Sequence, residues 1–172
     1  AAVTFAKPAG GGLAFGGVHW QYLDAIDNVE AAGRTELAIT KELLVKTFTK
    51  AGPVLEPVTA DTPVQVGDEL VVRLVVTSDR AYEFLELADH RPSLTEPVDV
   101  LSGWKWADGV GWYQVTRDAS TQLFFERLPE GTHVFEYSLR AAHRGQASSG
   151  FATIRSRYAP EFSARSASLP LA

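Results

Sequence analysis

The chain has 172 residues, a hydrophobic fraction of 45% and a formal net charge of −5. Its size and composition suit one domain of about 100–150 residues with an appendage, folded around an apolar core. The dispersed charges exclude the concentrated basic face that nucleic acid or an anionic membrane surface requires. The absence of cysteine excludes disulfides, thiolate metal sites and a cysteine nucleophile from this sequence.

Residues 1–33 differ in composition from the rest of the chain. Residues 3–7 and 18–23 predict the two strands of a β-hairpin, joined by a glycine-rich stretch. A phosphate cradle is not favoured there, because no Lys-Ser/Thr pair follows the last glycine. Residues 24–33 are polar and alanine-rich and predict a connector. We therefore expect an N-terminal extension of strands and linker over residues 1–33, followed by the main domain over residues 34–172.

The main region has the pattern of an all-β fold. A strand pattern leads from residues 37–39 to residues 43–48, and further strands are predicted at residues 70–77, 82–87, 121–128, 134–140 and 151–158. The clearest alternation places Phe135, Tyr137 and Leu139 on one face of a half-solvated antiparallel strand. The pair Asp108-Gly109 predicts a hairpin turn. About seven strands with regular turns predict an antiparallel two-sheet β-sandwich, and the polar tail after Phe162 is expected to fray.

Few side chains suggest catalysis. His90 stands beside Asp89 and Arg91, which fits either a general base oriented by a carboxylate or a cluster that caps backbone groups at a strand end; the second interpretation is favoured. No two histidines have metal-ligand spacing, and no nucleophile elbow is present. Asp108 and Asp118 lack support as a glycosidase pair. We predict no catalytic residue, no cofactor and no metal ligand, and therefore not an enzyme.

The strongest functional signal is a set of aromatic residues in the long connection at residues 93–120. If exposed, they make a stacking platform for sugars or an anchor for a protein partner. If buried, they form the small core of that connection, which is the favoured interpretation. The candidate interaction residues are Arg91, Trp104, Trp106, Trp112 and Tyr113.

Several runs in the main region form a recognisable series: ADHRP (88–92), EPVDVLSGWKW (96–106), GVGWY (109–113), TRDAST (116–121), FF (124–125), LPEGTHVFEY (128–137), ATI (152–154) and YAPEF (158–162). This series resembles the C-terminal macroglobulin-like domain of bacterial alpha-2-macroglobulins. The run HWQY at residues 19–22 resembles an element that closes the preceding split domain of that family. The resemblance covers most of residues 37–165.

The resemblance implies one module of a large protein that traps proteases after they cut a bait segment elsewhere in the parent chain. It implies a macroglobulin- or fibronectin-like sandwich whose partners are other domains of the parent and, through the parent, target proteases. Neither nucleic acid nor direct membrane insertion is expected. The implied location is the bacterial cell envelope, in the periplasm, and membrane anchoring through the parent is left open. Because the chain has no cysteine, it does not carry the family's thioester.

Two functions are therefore predicted. In the first, the chain is a non-catalytic C-terminal domain of an alpha-2-macroglobulin-like protease inhibitor that mediates interdomain packing and conformational response. In the second, the loop with Trp104, Trp106 and Trp112 makes the chain a carbohydrate- or protein-binding module. An uncharacterised hydrolase is disfavoured, because no set of catalytic residues can be assembled.

Overall fold

The computed structural model describes residues 4, 6–7, 10, 12–13, 15–16, 21–33, 36–59 and 64–171. Two antiparallel sheets make up the body of the domain. In spatial order the five-stranded sheet contains β2 (Gly52–Pro57), β1 (Leu37–Thr49), β3 (Glu69–Ser78), β9 (Gly131–Ala141) and β5 (Thr95–Pro97). The six-stranded sheet contains β12 (Ser163–Arg165), β11 (Ala152–Ser156), β4 (Tyr82–His90), β8 (Ser120–Leu128), β7 (Val110–Thr116) and β6 (Gly103–Ala107). A separate pair joins β10 (Ala147–Ser148) to β13 (Pro170–Leu171).

The core lies between the two main sheets. β3 runs between β1 and β9 in the middle of its sheet, so its dense branched and leucine content is buried, as a central strand requires. In β9 the residues Phe135, Tyr137 and Leu139 are buried, whereas Val134 and Glu136 on the other face are exposed, which confirms the predicted alternation. The opposite sheet contributes Leu85, Leu87, Leu123, Phe125 and Ile154 to the same core.

The hairpin predicted at Asp108-Gly109 joins β6 to β7. Ala107 pairs with Val110 across this two-residue turn. Both turn residues have positive φ, 49° for Asp108 and 78° for Gly109, which is the backbone of a type I′ turn. This tight turn sets the register of β6 and β7 and thereby the faces on which their tryptophans lie.

The two-sheet sandwich is confirmed, with more strands than the sequence pattern predicts. About seven strands were expected, and the two main sheets contain eleven within the described part of the chain. In the connection at residues 93–120, β6 and β7 form the predicted hairpin, whereas the short strand β5 was not predicted. Strands of two or three residues are too short to leave a periodic pattern in the sequence.

The C-terminal segment is ordered, and the expectation that it frays is wrong. β12 pairs with β11, and β13 pairs with β10. Ala164 and Leu171 are buried on the sandwich, and so is Ser166. Ala164 and Ser166 need little space and fit close to a sheet edge, and Leu171 joins the hydrophobic core. The polar composition of this segment therefore did not indicate a free tail.

The N-terminal extension is described only in part. Residues 3, 5 and 18–20, which include His19 and Trp20, lie outside the described residues, and residues 21–25 have no strand conformation. The predicted connector contains a short 3-10 helix, Ile26–Asn28. Beyond it, Ala32 forms an isolated bridge with Arg165. The domain boundary near residue 33 stays a prediction.

Candidate functional site

Three of the candidate aromatic side chains lie together on the outer face of the six-stranded sheet. Trp104 pairs with Tyr113 across β6 and β7, and the exposed fractions of Trp104, Trp106 and Tyr113 are 50%, 70% and 36%. The two indoles stack with ring centroids 5.8 Å apart at 23°. Trp104 also meets the Tyr113 ring edge-on at 5.6 Å. Together they form an exposed aromatic surface, which we call the aromatic face.

Gly111 makes room for the indole of Trp106, which is more exposed than that of Trp104. Trp106 is directly opposite Gly111 in the ladder. A Cβ atom at Gly111 would lie 2.7 Å from Trp106 Nε1 and 3.0 Å from its Cδ1. The missing side chain therefore leaves room for the pyrrole part of the Trp106 indole beside the strand backbone. Glu126 and Arg127 of β8 lie beside the indole in the same shallow depression.

Trp112 does not belong to this surface. Its exposed fraction is 5%, and its ring packs edge-on against Phe135 at 5.0 Å and beside Phe125 at 6.5 Å. The reason is the pleat of β7: successive side chains alternate, so Trp112 points inward while Tyr113 points outward. The sequence grouped these tryptophans by proximity, and the structure divides them between core and surface.

Arg91 is used within the chain and is not part of the aromatic face. Its backbone N–H donates to the carbonyl of Ala119 at 3.0 Å. Its guanidinium Nη2 donates to the carbonyl oxygens of Arg117 and Asp118. Arg91 therefore holds the turn between β7 and β8 against the end of β4. These hydrogen bonds give Arg91 a role in internal support, and its role as an interaction residue stays a prediction.

The outer face of the six-stranded sheet continues from Tyr113 through Phe124 to Glu86, which are neighbours across β7, β8 and β4. Arg157 Cζ lies 6.0 Å from the centroid of the Phe124 ring. Arg155 Nη2 donates to Glu86 Oε2 at 3.1 Å. The surface thus changes from aromatic to ionic as it crosses the sheet.

The outer face of the five-stranded sheet has a different chemistry. Arg73 Nε donates to Glu136 Oε1 at 2.6 Å, and its Nη1 lies 3.6 Å from Glu42 Oε2. Lys46 Nζ donates to Glu69 Oε1 at 2.9 Å. These cross-strand ion pairs suit a face that stays in water.

A second polar cluster is hidden inside the sandwich. Lys41 Nζ of β1 lies 2.7 Å from Asp89 Oδ1 of β4, and both side chains are 0% exposed. The Tyr137 hydroxyl of β9 donates to Asp89 Oδ2. Lys41 Nζ also donates to the carbonyls of His90 at 2.9 Å and Ser149 at 2.6 Å. This buried cluster links β1 and β9 of one sheet to β4 of the other, and backbone carbonyls accept the further hydrogen bonds of Lys41.

Burial dominates the electrostatics of this cluster. Desolvation lowers the pKa of Lys41 below its ordinary value, and the negative charge of Asp89 opposes that effect. Desolvation likewise raises the pKa of Asp89, with Lys41 opposing it, and raises the pKa of Tyr137 well above its usual value. Because no side chain of the ion pair reaches solvent, we assign the cluster to structure and not to proton transfer with a substrate.

The structure separates His90 from the carboxylate that was its candidate partner. Asp89 points into the core, and His90 is on the other face of β4, where its ring packs at 5.6 Å from Phe151. Asp89 therefore does not orient His90 as a general base. Among the described residues, no group of three or more His, Cys, Asp or Glu residues could hold a metal ion.

Sequence reasoning missed Lys41 and Tyr137 as partners of Asp89. A usable signal was present, because Lys41 falls at the inward position of the alternating series Leu37, Ile39, Leu43 in β1. A charge at such a position needs a buried partner of opposite sign.

Comparison with known proteins agrees with this fold. The family model described as the bacterial alpha-2-macroglobulin MG10 domain matches residues 37–161. A comparison with curated proteins gives no match. Among the described residues, no helix has the length and apolar character needed to cross a membrane.

Solved structures of bacterial alpha-2-macroglobulins are similar to this chain. Salmonella alpha-2-macroglobulin reacted with methylamine matches with a TM-score of 0.63 and 19% identity, over 83% of this chain and 9% of that one. Trypsin-activated alpha-2-macroglobulin from Escherichia coli matches with a TM-score of 0.62 and 16% identity, over 83% and 10%. The native Escherichia coli protein from domain MG7 to the C-terminus matches with a TM-score of 0.60 and 17% identity, over 80% and 23%.

At these identities the similarity to solved structures establishes the fold alone. The chain spans about a tenth of the length of the first two of those proteins. The family model, in contrast, covers most of the chain, from the start of β1 to the turn before β12. The chain therefore belongs to the bacterial alpha-2-macroglobulin MG10 domain family.

Proposed function

We propose that this chain is a non-catalytic domain of an alpha-2-macroglobulin-like protease inhibitor of the bacterial cell envelope. In this role it packs against other domains of the parent chain and takes part in the conformational response to a protease in the periplasm. Residues 1–33 belong to the preceding domain and its linker, and residues 34–172 form the packing module. The observation that carries the proposal is an exposed aromatic face on a member of a family of large multidomain proteins.

The composition of the surroundings supports a docking role for the aromatic face. Val100 and Leu101, in the segment that leads into β6, are also exposed apolar residues. Exposed apolar clusters of this kind mark contact sites in soluble proteins. Aromatic residues provide much of the binding energy at such contacts because they bury a large area with little loss of side-chain freedom.

Replacing Trp104 or Trp106 with alanine in the intact parent is expected to weaken interdomain docking by about 2 kcal/mol. Amide hydrogen exchange of β6 and β7 in the parent measures this contact, and exchange should rise in both variants. Phe48→Ala is the matched control, since Phe48 is 74% exposed on β1, in the other sheet. Equal protection of β6 and β7 in the parent and in the separate chain would show that this face docks nowhere.

A trapping assay tests the function of the whole protein. The parent is compared with a form lacking residues 37–172, and protease activity is measured on a large protein substrate and on a small peptide. The intact parent should block cleavage of the large substrate while sparing cleavage of the peptide, and the deletion should lose this difference. Equal trapping by both forms would make the domain peripheral to inhibition.

Saccharide binding is the second candidate function, and one observation favours it. The Trp106 indole lies against Gly111 and presents a flat aromatic surface beside the charged side chains of Glu126 and Arg127. Aromatic faces flanked by polar groups can stack on sugar rings while hydrogen bonding their hydroxyls. Titration of tryptophan fluorescence with envelope glycans decides the matter: a saturable shift that Trp106→Ala removes supports it, and a flat response eliminates it.

A further inference from the structure

The segment that enters the domain lies beside the C-terminal segment. Ala32 and Arg165 exchange two backbone hydrogen bonds, of 3.0 Å from Ala32 N and 2.6 Å from Arg165 N. Ser168 N donates to the carbonyl of Val29 at 3.0 Å, and Arg165 Nε donates to the carbonyl of Glu30 at 3.1 Å. Residues 29–33, which we call the entry segment, thus lie along the edge strand β12.

The C-terminal segment is itself fastened to the sandwich on its other side. Ser166 N donates to the carbonyl of Ala152 at 2.8 Å. Ser149 N donates to the carbonyl of Leu169 at 2.7 Å, and Leu169 N donates to Ser149 Oγ at 3.1 Å. The carbonyl of the same Ser149 accepts from Lys41 Nζ. The C-terminal segment therefore connects the entry segment to the buried ion pair.

One contact makes the fit of the entry segment selective. A Cβ atom at Gly33 would lie 2.8 Å from Ala164 Cβ and 3.1 Å from the carbonyl oxygen of Leu37. The first of these atoms is bonded directly to the backbone and the second belongs to it, so neither can turn away as the end of a long side chain can. A side chain at position 33 would therefore force the entry segment or β12 to shift from its present position.

The entry segment is held differently from the rest of the fold. Residues 30–33 are exposed, so the entry segment gains almost nothing from apolar burial. Ala164, Ser166 and Leu171 of the C-terminal segment are buried. Segments held by a few solvent-exposed backbone hydrogen bonds open far more often than the core does.

We propose that the edge of β12 is a strand-acceptor site and that the entry segment of this chain occupies it. We call the paired entry segment and β12 the clasp. The clasp opens without unfolding of the sandwich. When the clasp opens, the N–H and C=O groups of Arg165 lose their hydrogen-bond partners on Ala32. If the chain has the proposed role in a protease trap, this clasp couples the preceding domain to the C-terminal segment. The clasp itself is a property of the chain and does not depend on trapping.

Residue-specific amide exchange by NMR on the full chain tests the clasp. In the unmodified chain the amides of Ala32, Arg165 and Ser168 should exchange faster than the amide of Val72 in β3. Gly33→Ala should accelerate those three amides by about tenfold or more and leave Val72 unchanged. Gly103→Ala is the matched control, because a Cβ atom at Gly103 would meet no other atom within 4 Å, and it should change none of them.

Two results would overturn the proposal. If Gly33→Ala leaves the three amides unchanged, the tight fit against Ala164 does not hold the entry segment. If Val72 accelerates by the same factor as Ala32, the clasp and the sandwich open as one unit. Failure of the trapping assay with normal behaviour of these amides would reject the protease-inhibitor role and leave the clasp in place.

Discussion

Lys41→Met is expected to destabilise the chain by about 3–5 kcal/mol, because it leaves the Asp89 carboxylate buried without its counter-charge. The side chains of this pair are fully buried, and the two carbonyls that accept from Lys41 also lose their donor. Urea denaturation at equilibrium measures the change in the free energy of unfolding. The large expected decrease in the free energy of unfolding measures the destabilisation caused by an unpaired buried charge, and not the net contribution of the ion pair to stability.

The same variant should be less damaged in acid. Burial already holds the pKa of folded Asp89 above its unfolded value, and removing Lys41 takes away the charge that opposes this shift. A group with a raised folded pKa contributes stability below its unfolded pKa and loses it as the pH rises. The deficit of Lys41→Met relative to the unmodified chain should therefore be smaller at about pH 4 than at pH 7.

Lys46→Met is the control for this experiment. Lys46 pairs with Glu69 at 2.9 Å, but the two side chains remain partly exposed, so its loss should cost no more than about 1 kcal/mol. A double variant, Lys41→Met with Asp89→Leu, should cost less than the sum of its single changes. Strict additivity, or equal effects of Lys41→Met and Lys46→Met, would refute the assignment of Lys41 and Asp89 as a coupled buried pair.

Trp112→Ala should cost about 3–5 kcal/mol, because it opens a cavity between the sheets. Trp112 contacts Phe125 and Phe135 in the core. Its Nε1 donor is buried and has no hydrogen-bond partner within the described residues. Trp112→Phe should therefore be milder, since it fills part of the space and removes that donor. Thermal unfolding, followed by near-ultraviolet circular dichroism, measures both variants.

Trp106→Ala is the matched comparison, because it removes the same side chain from the surface. Its cost in stability should stay below about 1 kcal/mol. The contrast matters for any docking experiment: a lost contact in Trp112→Ala reflects damage to the fold, whereas a lost contact in Trp106→Ala reflects the surface. Equal loss of stability in the two variants would contradict the placement of Trp112 in the core.

Much of the fold follows from the alternation of apolar residues. The faces of β9 were predictable from Phe135, Tyr137 and Leu139, and the turn at Asp108-Gly109 was predictable from residues that tolerate positive φ. The short strands β5 and β12 were not predictable, because three residues are too few to show an alternation of apolar and polar side chains. Their formation depends on neighbouring strands that arrive from distant parts of the chain.

The placement of Trp112 in the core and of Trp106 on the surface could also have been predicted from the sequence. A two-residue turn places residue 106 opposite residue 111, so Trp112 must point to the other side of the sheet from Trp106. Proximity in sequence concealed this relation. The partners of Lys41 are a harder problem, because Asp89 and Tyr137 come from β4 and β9, and no local pattern records which strands of two sheets face each other.

The buried ammonium of Lys41 also limits how early this domain can fold during its synthesis on the ribosome. Its last oxygen partner, the carbonyl of Ser149, lies 108 residues further along the chain. At about 5–20 residues per second, a ribosome that has made Lys41 needs on the order of 5–20 s to add that partner. If the two sheets closed before Ser149 was made, the Lys41 ammonium would be buried without one of its hydrogen-bond partners. The nascent chain should keep its first strands hydrated and complete the sandwich only after almost the whole domain has emerged.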